Sequence, residues 1–476
     1  MDALKRIMFA PHPPILIHEI GQGREREASQ TLDGLTKVAE LIGDIQPKLL
    51  ITITPHGNVF NNGICILNEK EVTGHFGMFG AHAIHMEKSI DLGFNEQLEK
   101  AFIKHDISYL LLDQESAKDY GVEVALDHGC MVPYHFIDQV YRDYQIIHIT
   151  VGLLSLKALY QIGVIIGEVV EKYGEDTVIL ASGDLSHALK SDGPYNYHPD
   201  GPTFDQLLVE SLENSDYEAL LTMDYKLHEN AQVCGLRSFI MALGAVDLVE
   251  STSEVFSYEG PFGVGYLTGQ VHILNKKLES LLEKVNRVKA DKMVEIFDRE
   301  EDYIKLARAS INAWVKEHKT LDWDAFKDKL QPHVVERLEN NRAGAFVSIH
   351  KDHQLRGCIG TIQATQDTLA QEIIHNAVSA ASSDFRFSPV QERECYDLEV
   401  KVDILHEIEP IQNKDQLDVS KYGVIVEKAH KRGLLLPNLD GVDSIHQQIN
   451  IAKQKAGIEQ HEDAQLYRFE VERHEI

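Results

Sequence analysis

The chain has 476 residues, 43% hydrophobic and 25% charged, which is too long for one ordinary core and predicts two to four folded domains rather than extensive disorder. Its 46 basic against 75 acidic residues give a formal charge of −29, which argues against non-specific binding to nucleic acid or to anionic lipid. No apolar run reaches the roughly 18 residues that span a bilayer, and the five cysteines (Cys65, Cys130, Cys234, Cys358, Cys395) include no Cys-x-x-Cys pair, so neither a disulfide framework nor a structural zinc finger is expected and a cytoplasmic location is.

Residues 1 to about 272 alternate apolar strand-like runs with helical stretches, the pattern of an α/β domain with a central sheet flanked by helices. Strands are predicted at Ile7 to Ala10, Leu49 to Thr54 and Val178 to Ser182, and helices at Asp33 to Ile45 and Ser155 to Tyr173. Gly260 to Tyr266 is glycine-rich without the strand–turn–helix context of a dinucleotide fingerprint, and reads as a turn feeding a strand, Val264 to Ile273. Leu274, Leu278, Leu281, Leu282, Val285 and Val288 then recur at helical spacing, predicting an amphipathic connecting helix over 273–301. From 302 to 476 the order is α+β: helices at Tyr303 to Glu317 and Trp323 to Leu338, and a hairpin of Ala345 to Ile349 and Leu355 to Ile362 around Lys351-Asp352-His353. A helix, Thr368 to Ala381, strands at Leu398 to Leu405 and Gly423 to Glu427, and a helix at Ser444 to Ala456 complete it.

Four histidines stand in short turn-like phrases: Pro11-His12-Pro13-Pro14, Thr54-Pro55-His56-Gly57, Asp127-His128-Gly129 and Gly183-Asp184-Leu185-Ser186-His187. Three follow predicted strands, and in open α/β sheets ligands sit outside the carboxyl ends of the strands. Neutral imidazole ligates Zn, Fe and Cu, and a free one moves protons near neutral pH. The pair His82 and His85 has a spacing of three that could hold a metal on a helix but reads rather as a solvated helix face, and His135 reads as a residue lining the pocket.

In order and approximate spacing these phrases resemble the class III extradiol ring-cleavage dioxygenases, a LigB-like family whose fold also includes Memo-like proteins. Gly74 to Ala81 and Ala242 to Ala245 are similar to its landmarks. The resemblance implies His12 and His56 as metal ligands, with a late carboxylate, Glu229, as the third; Memo-like relatives imply Cys234 instead. Five residues apart, Glu229 and Cys234 do not face one ion from a continuous helix. It also implies His187 as the acid–base residue and His128 as a second one or a substrate contact, with Asp184 and Ser186 orienting His187. The implied function is Fe(II)-dependent oxidative ring opening of a catechol-like aromatic with O₂. A Memo-like metal-binding or adaptor role beside a radical SAM enzyme, without ring cleavage, is the alternative. The same ligands suit Zn²⁺ or another divalent metal, and Zn²⁺ would activate water. Extradiol enzymes of this kind are often homo-oligomers.

In the second half, Leu355-Arg356-Gly357-Cys358-Ile359-Gly360-Thr361, Asp384 to Pro389, Gly433 to Pro437 and Lys455-Ala456-Gly457 resemble the AMMECR family over 302 to about 472. Arg356 and Cys358 project from one face of a strand. Either the guanidinium lowers the thiol pKa and makes Cys358 a nucleophile, or Cys358 is a small buried residue beside a structural arginine. Arg386, between Phe385 and Phe387, reads as a stacked anion site or as packing.

Overall fold

A computed structural model of the chain describes residues 2–352, 354–439 and 441–475. It divides into two compact units, one up to Arg287 and one from Val288. The first holds ten strands: β1 (Leu4–Ala10), β2 (Leu49–Thr54), β3 (Ile64–Leu67), β4 (Glu71–Phe76), β5 (Ala81–Ser89), β6 (Tyr109–Leu112), β7 (Gln145–Thr150), β8 (Thr177–Ser182), β9 (Val249–Glu259) and β10 (Tyr266–Lys277). Eight form one sheet in the order β6-β3-β7-β2-β8-β1-β10-β9, while β4 and β5 make a separate hairpin.

The centre of the sheet, β7-β2-β8-β1, is parallel throughout. That explains why β2 and β8 read as unbroken apolar runs: every residue of both is buried, as expected of strands covered on both faces. Helix Leu156–Tyr173 and helix Leu236–Gly244 are pressed together by Gly163 and Gly244, where a Cβ on Gly163 would fall 1.9 Å from the Met241 carbonyl oxygen. The carboxyl ends of the four parallel strands therefore open onto one edge, where the histidine phrases follow.

Three expectations are corrected. The predicted connecting helix begins late, because β10 stays paired with β9 as far as Lys277; Leu274 lies in that strand and Leu278 after it, and the helix runs Leu281–Arg299. His82 and His85 lie on β5, not on a helix, so their spacing of three puts them on opposite faces. Trp323 to Leu338 is two helices, Trp323–Phe326 and Pro332–Asn340, because Pro332 has no N–H to continue the first and instead starts the second.

The second unit has two four-stranded antiparallel sheets. One is β12-β11-β13-β18, from β11 (Ala345–Lys351), β12 (Gln354–Gly360), β13 (Leu398–Leu405) and β18 (Val471–His474). The other, β14-β17-β15-β16, uses β14 (Glu409–Ile411), β15 (Gly423–Lys428), β16 (Lys431–Leu435) and β17 (Gln465–Phe469). Helices Asp302–Glu317 and Leu369–Ser382 back the first sheet, whose core includes Ile304, Val347, Ile373 and Val402. Leu405, Ile425 and Phe469, with Phe346 and Leu434 against them, join the two sheets. The expected hairpin is present, but its His353 lies outside the described residues.

Candidate metal centre

His12 follows β1, His56 follows β2 and His187 follows β8, while His128 opens helix His128–Ile137, whose N-cap Asp127 accepts from Gly129 N at 2.7 Å. The His56 and His128 rings lie 4.2 Å apart between centroids, and His12 and His128 5.4 Å. The Nε2 atoms of His12 and His56 are 2.9 Å apart. Cys234 joins them, its Sγ 3.6 Å from His12 Nε2.

Glu229 does not. Its carboxylate pairs with Arg237 at 3.1 Å with its side chain 43% exposed, and no oxygen of it belongs to the cluster of His12 and His56. The competition between the two candidates is decided by glycine. Gly183 and Gly235 touch backbone to backbone, so that a Cβ on Gly183 would stand 2.0 Å from Gly235 Cα. Gly235 N donates to the Asp184 carbonyl at 2.8 Å, and Asp184 N donates to Cys234 Sγ at 3.2 Å. This contact draws the residue before Gly235 against the β8 turn; Glu229, in the helix Tyr225–Asn230, is left on the outer side.

The hydrogen bonds set the tautomer of His12. The Ser182 hydroxyl donates its only proton to the Gly129 carbonyl, so the contact between Ser182 Oγ and His12 Nδ1, at 2.9 Å, needs the proton on Nδ1. Nε2 then carries a lone pair directed at His56 and Cys234. A cation between these atoms would accept that lone pair. The three ligand atoms lie within 4.8 Å of one another, a span that one ion can bridge, so the donor set fits one transition-metal ion.

Burial drives the imidazoles of His12 and His56 down to about 3, so both are neutral and free to ligate. Burial lowers His128 and His187 also, with Asp184 opposing it at both. Asp184 is pushed up to about 6 by burial, against the His12 N–H it accepts at 2.9 Å. The Cys234 thiol is raised by burial and by Asp184, so ligation must displace its proton.

Asp184, His187 and Cys234 bring their ligand atoms together beside the first cluster. Ser186, however, does not orient His187: its hydroxyl donates to the Ala231 carbonyl at 2.9 Å and accepts from Ala188 N. His187 Nε2 is buried without a hydrogen-bond partner among the described residues, and its ring leans on Tyr195 at 4.8 Å between centroids. Phe79 sits 5.4 Å from the His128 ring.

Sequence reasoning assigned no role to Ser182, His148 or Tyr195. His148 holds Asp127 Oδ2 at 2.7 Å, while Asp127 Oδ1 accepts from Thr54 Oγ1 and Gly129 N. These bonds keep the Asp127 carboxylate ionised despite its burial. A histidine inside the apolar run Ile146-Ile147-His148-Ile149 was the available signal, since a buried polar group on a central strand requires a partner. His135 lies apart, in a cavity of about 490 Å³ with His85 and Asp138.

In the second unit Arg356 is structural. It grips Glu394 with Nε at 3.0 Å and Nη2 at 2.9 Å and donates Nη1 to the Ser388 carbonyl at 2.8 Å. The guanidinium facing Cys358 belongs to Arg386 instead, and burial pushes the Cys358 thiol up rather than down, against Ser348 and Arg386.

Fold and site together define a two-domain protein whose α/β half presents an imidazole–thiol metal-donor set. Residues 6–269 match the family described as the catalytic LigB subunit of aromatic ring-opening dioxygenase, and 304–474 match AMMECR1. The chain belongs to the LigB family through its first domain and carries an AMMECR1 domain as its second. A Clostridium acetobutylicum protein is 37% identical over 472 residues, covering 99% of each chain. A Thermotoga maritima protein is 48% identical over 177 residues, 37% of this chain and 98% of that one. The crystal structure of an uncharacterized Pyrococcus horikoshii protein covers 37% of this chain and 89% of its own, at 27% identity and a TM-score of 0.33. No described helix is long and apolar enough to cross a membrane.

Proposed function

We propose that the first domain binds one divalent transition-metal ion, iron(II) first among them, on His12 Nε2, His56 Nε2 and Cys234 Sγ, and acts as a Memo-like metal protein. The observation that carries this reading is the third donor: a thiol stands where a ring-cleaving two-histidine site needs a carboxylate. When bound, such an ion supplies Lewis acidity and, for iron, one-electron chemistry.

The surrounding residues have separable tasks. Ser182 keeps the proton on His12 Nδ1 and so the lone pair on Nε2. Asp184 N–H stabilises the thiolate of Cys234. Asp184 and His187, a carboxyl raised to about 6 beside a neutral imidazole, form a pair able to exchange a proton with a bound ligand. The unpartnered His187 Nε2 is the atom through which it would pass. Tyr195 and Phe79 wall the two outer histidines with apolar surface and limit water. As partner we propose a radical SAM enzyme, on the resemblance of this fused architecture to the system that pairs AMMECR and Memo-like proteins with one.

The second reading is oxidative opening of a catechol-like ring with O₂ at the same site, favoured by the family match and by the two histidines beside the donors. Anaerobic purification with metal analysis and an oxygen-uptake screen over a catechol panel separates the two. The first reading expects stoichiometric metal, lost in His12→Ala, and no His12-dependent oxygen uptake. Uptake with a yellow ring-opened product, abolished in His187→Ala with metal retained, would establish the second. Absence of bound metal in the wild-type protein would sink both.

A further inference from the structure

The four phrases of the second domain meet at one place that the first domain's chemistry leaves unused. Cys358 lies on β12 directly opposite Ser348 of β11, whose hydroxyl donates to the thiol at 3.2 Å. The neighbouring Gly357 faces the other way and sits so tightly under helix Leu369–Ser382 that a Cβ there would stand 2.3 Å from the Ala380 carbonyl oxygen. The helix therefore covers one face of the strand, and the thiol projects from the opposite face.

The Asp384 phrase closes over the same backbone. Asp384 Oδ2 accepts from Cys358 N at 2.9 Å, and Arg386 Nη2 donates to the Cys358 carbonyl at 3.2 Å and to Asp384 at 2.6 Å. Arg386 Nε also goes to Asp384, at 2.9 Å, and the guanidinium engages the Cys358 side chain as well. From the other sheet, Gly433 repeats the device of Gly357: a Cβ would stand 2.2 Å from the Ala452 carbonyl oxygen and 2.9 Å from Ala456 Cβ. This draws the end of helix Ile445–Ala456 onto β16 and brings the Lys455 ammonium within electrostatic range of Cys358 and Arg386. Lys455 has no carboxylate partner among the described residues. The nearby carboxylates are committed, Asp384 to Arg386 and Asp403 to Arg473 at 2.7 Å. In a chain of net charge −29, two cations converge on a thiol with one of them uncompensated. Phe385, next to Arg386 in the chain, has 95% of its surface exposed.

We propose that the AMMECR1 domain carries its own ligand site, in which the Arg386 guanidinium and the Lys455 ammonium hold a phosphate or carboxylate group against the Cys358 thiol. A guanidinium and an ammonium are the groups that recognise such oxyanions, the first by its planar fork and the second as a point charge. Phe385 offers an apolar face to the rest of the ligand. Arg356 takes no part.

The test is calorimetric titration of the full-length protein with inorganic phosphate and, separately, with succinate, alongside the rate of iodoacetamide labelling at Cys358. One equivalent of phosphate or succinate is expected to bind, to slow labelling of Cys358 at least threefold, and to bind at least tenfold more weakly to Lys455→Gln. Stronger binding of one probe assigns the oxyanion class. Arg386→Gln should weaken binding similarly, but it strands Asp384; Lys455→Gln, at the exposed end of a helix, is the deciding variant and should melt as wild type does. His12→Ala should bind the anion unchanged, so failure of the metal reading and failure of this one are distinguishable. No binding of either probe at 1:1, or binding unchanged in Lys455→Gln, would overturn the proposal.

Discussion

The two domains assemble their sites by the same steric device and with opposite electrical sense. In the first, Gly183 against Gly235 brings Cys234 to the histidines; in the second, Gly357 and Gly433 press strands onto helix backbones and bring Cys358, Arg386 and Lys455 together. At the histidine site what converges is lone pairs: two neutral imidazoles and a sulfur, with no cation among them. At the cysteine site what converges is donors and positive charge. An arrangement of lone pairs suits a cation and one of cationic donors suits an anion, because each attracts a ligand of the opposite sign.

That contrast can be broken most decisively at the metal donors. His56→Ala and Cys234→Ala should each lose bound metal to background in elemental analysis, whereas Glu229→Gln should retain it. Loss in Glu229→Gln with retention in Cys234→Ala would return the site to the two-histidine, one-carboxylate pattern. In the second domain, Arg356→Gln should cost about 2 kcal/mol in chemical denaturation, because it takes both guanidinium bonds from the buried Glu394 and leaves it Lys351, at 3.3 Å, and the Gln391 N–H. Lys455→Gln should cost almost nothing there and act only on anion binding. A reversal of those two effects would make Arg356 the ligand-binding arginine.

A finer effect is expected at Ser182. Ser182→Ala removes the group that holds the proton on His12 Nδ1 and should weaken metal affinity about 10- to 100-fold in a competitive chelator titration. Unchanged affinity would show that His12 keeps its tautomer without that contact. The smallest effect is one of pH. Arg386 holds the Asp384 carboxyl down to about 2, below its ordinary 3.8, so the stabilisation is complete above that ordinary value. It is lost as pH falls through the folded value. The stability gap between wild type and Asp384→Asn should therefore be widest near pH 6 and narrow towards pH 2, measured by urea denaturation. A constant gap would remove the ion pair from the account.

Much of this was legible in linear form. β2 and the strand Leu398–Leu405 fall where their apolar runs place them, and the helices Leu156–Tyr173 and Ile445–Ala456 agree with expectation to within a residue at their starts. Local periodicity reports burial on one face, and these elements are buried as their periods require. Where two local patterns competed, tertiary pairing won: β10 kept its ladder with β9 through residues whose spacing favours a helix.

By itself, then, the sequence determined three of the four central strands, β1, β2 and β8, and the histidines that follow them, because strand periodicity and turn residues are properties of neighbours in the chain. Only the tertiary structure decided which of Glu229 and Cys234 meets the histidines and which of Arg356 and Arg386 faces Cys358. Those choices rest on backbone contacts between segments far apart in sequence, Gly183 with Gly235 and Asp384 with Cys358. Spacing along one chain carries no information about a contact of that kind, and a missing Cβ acts only when a second backbone arrives to fill its place.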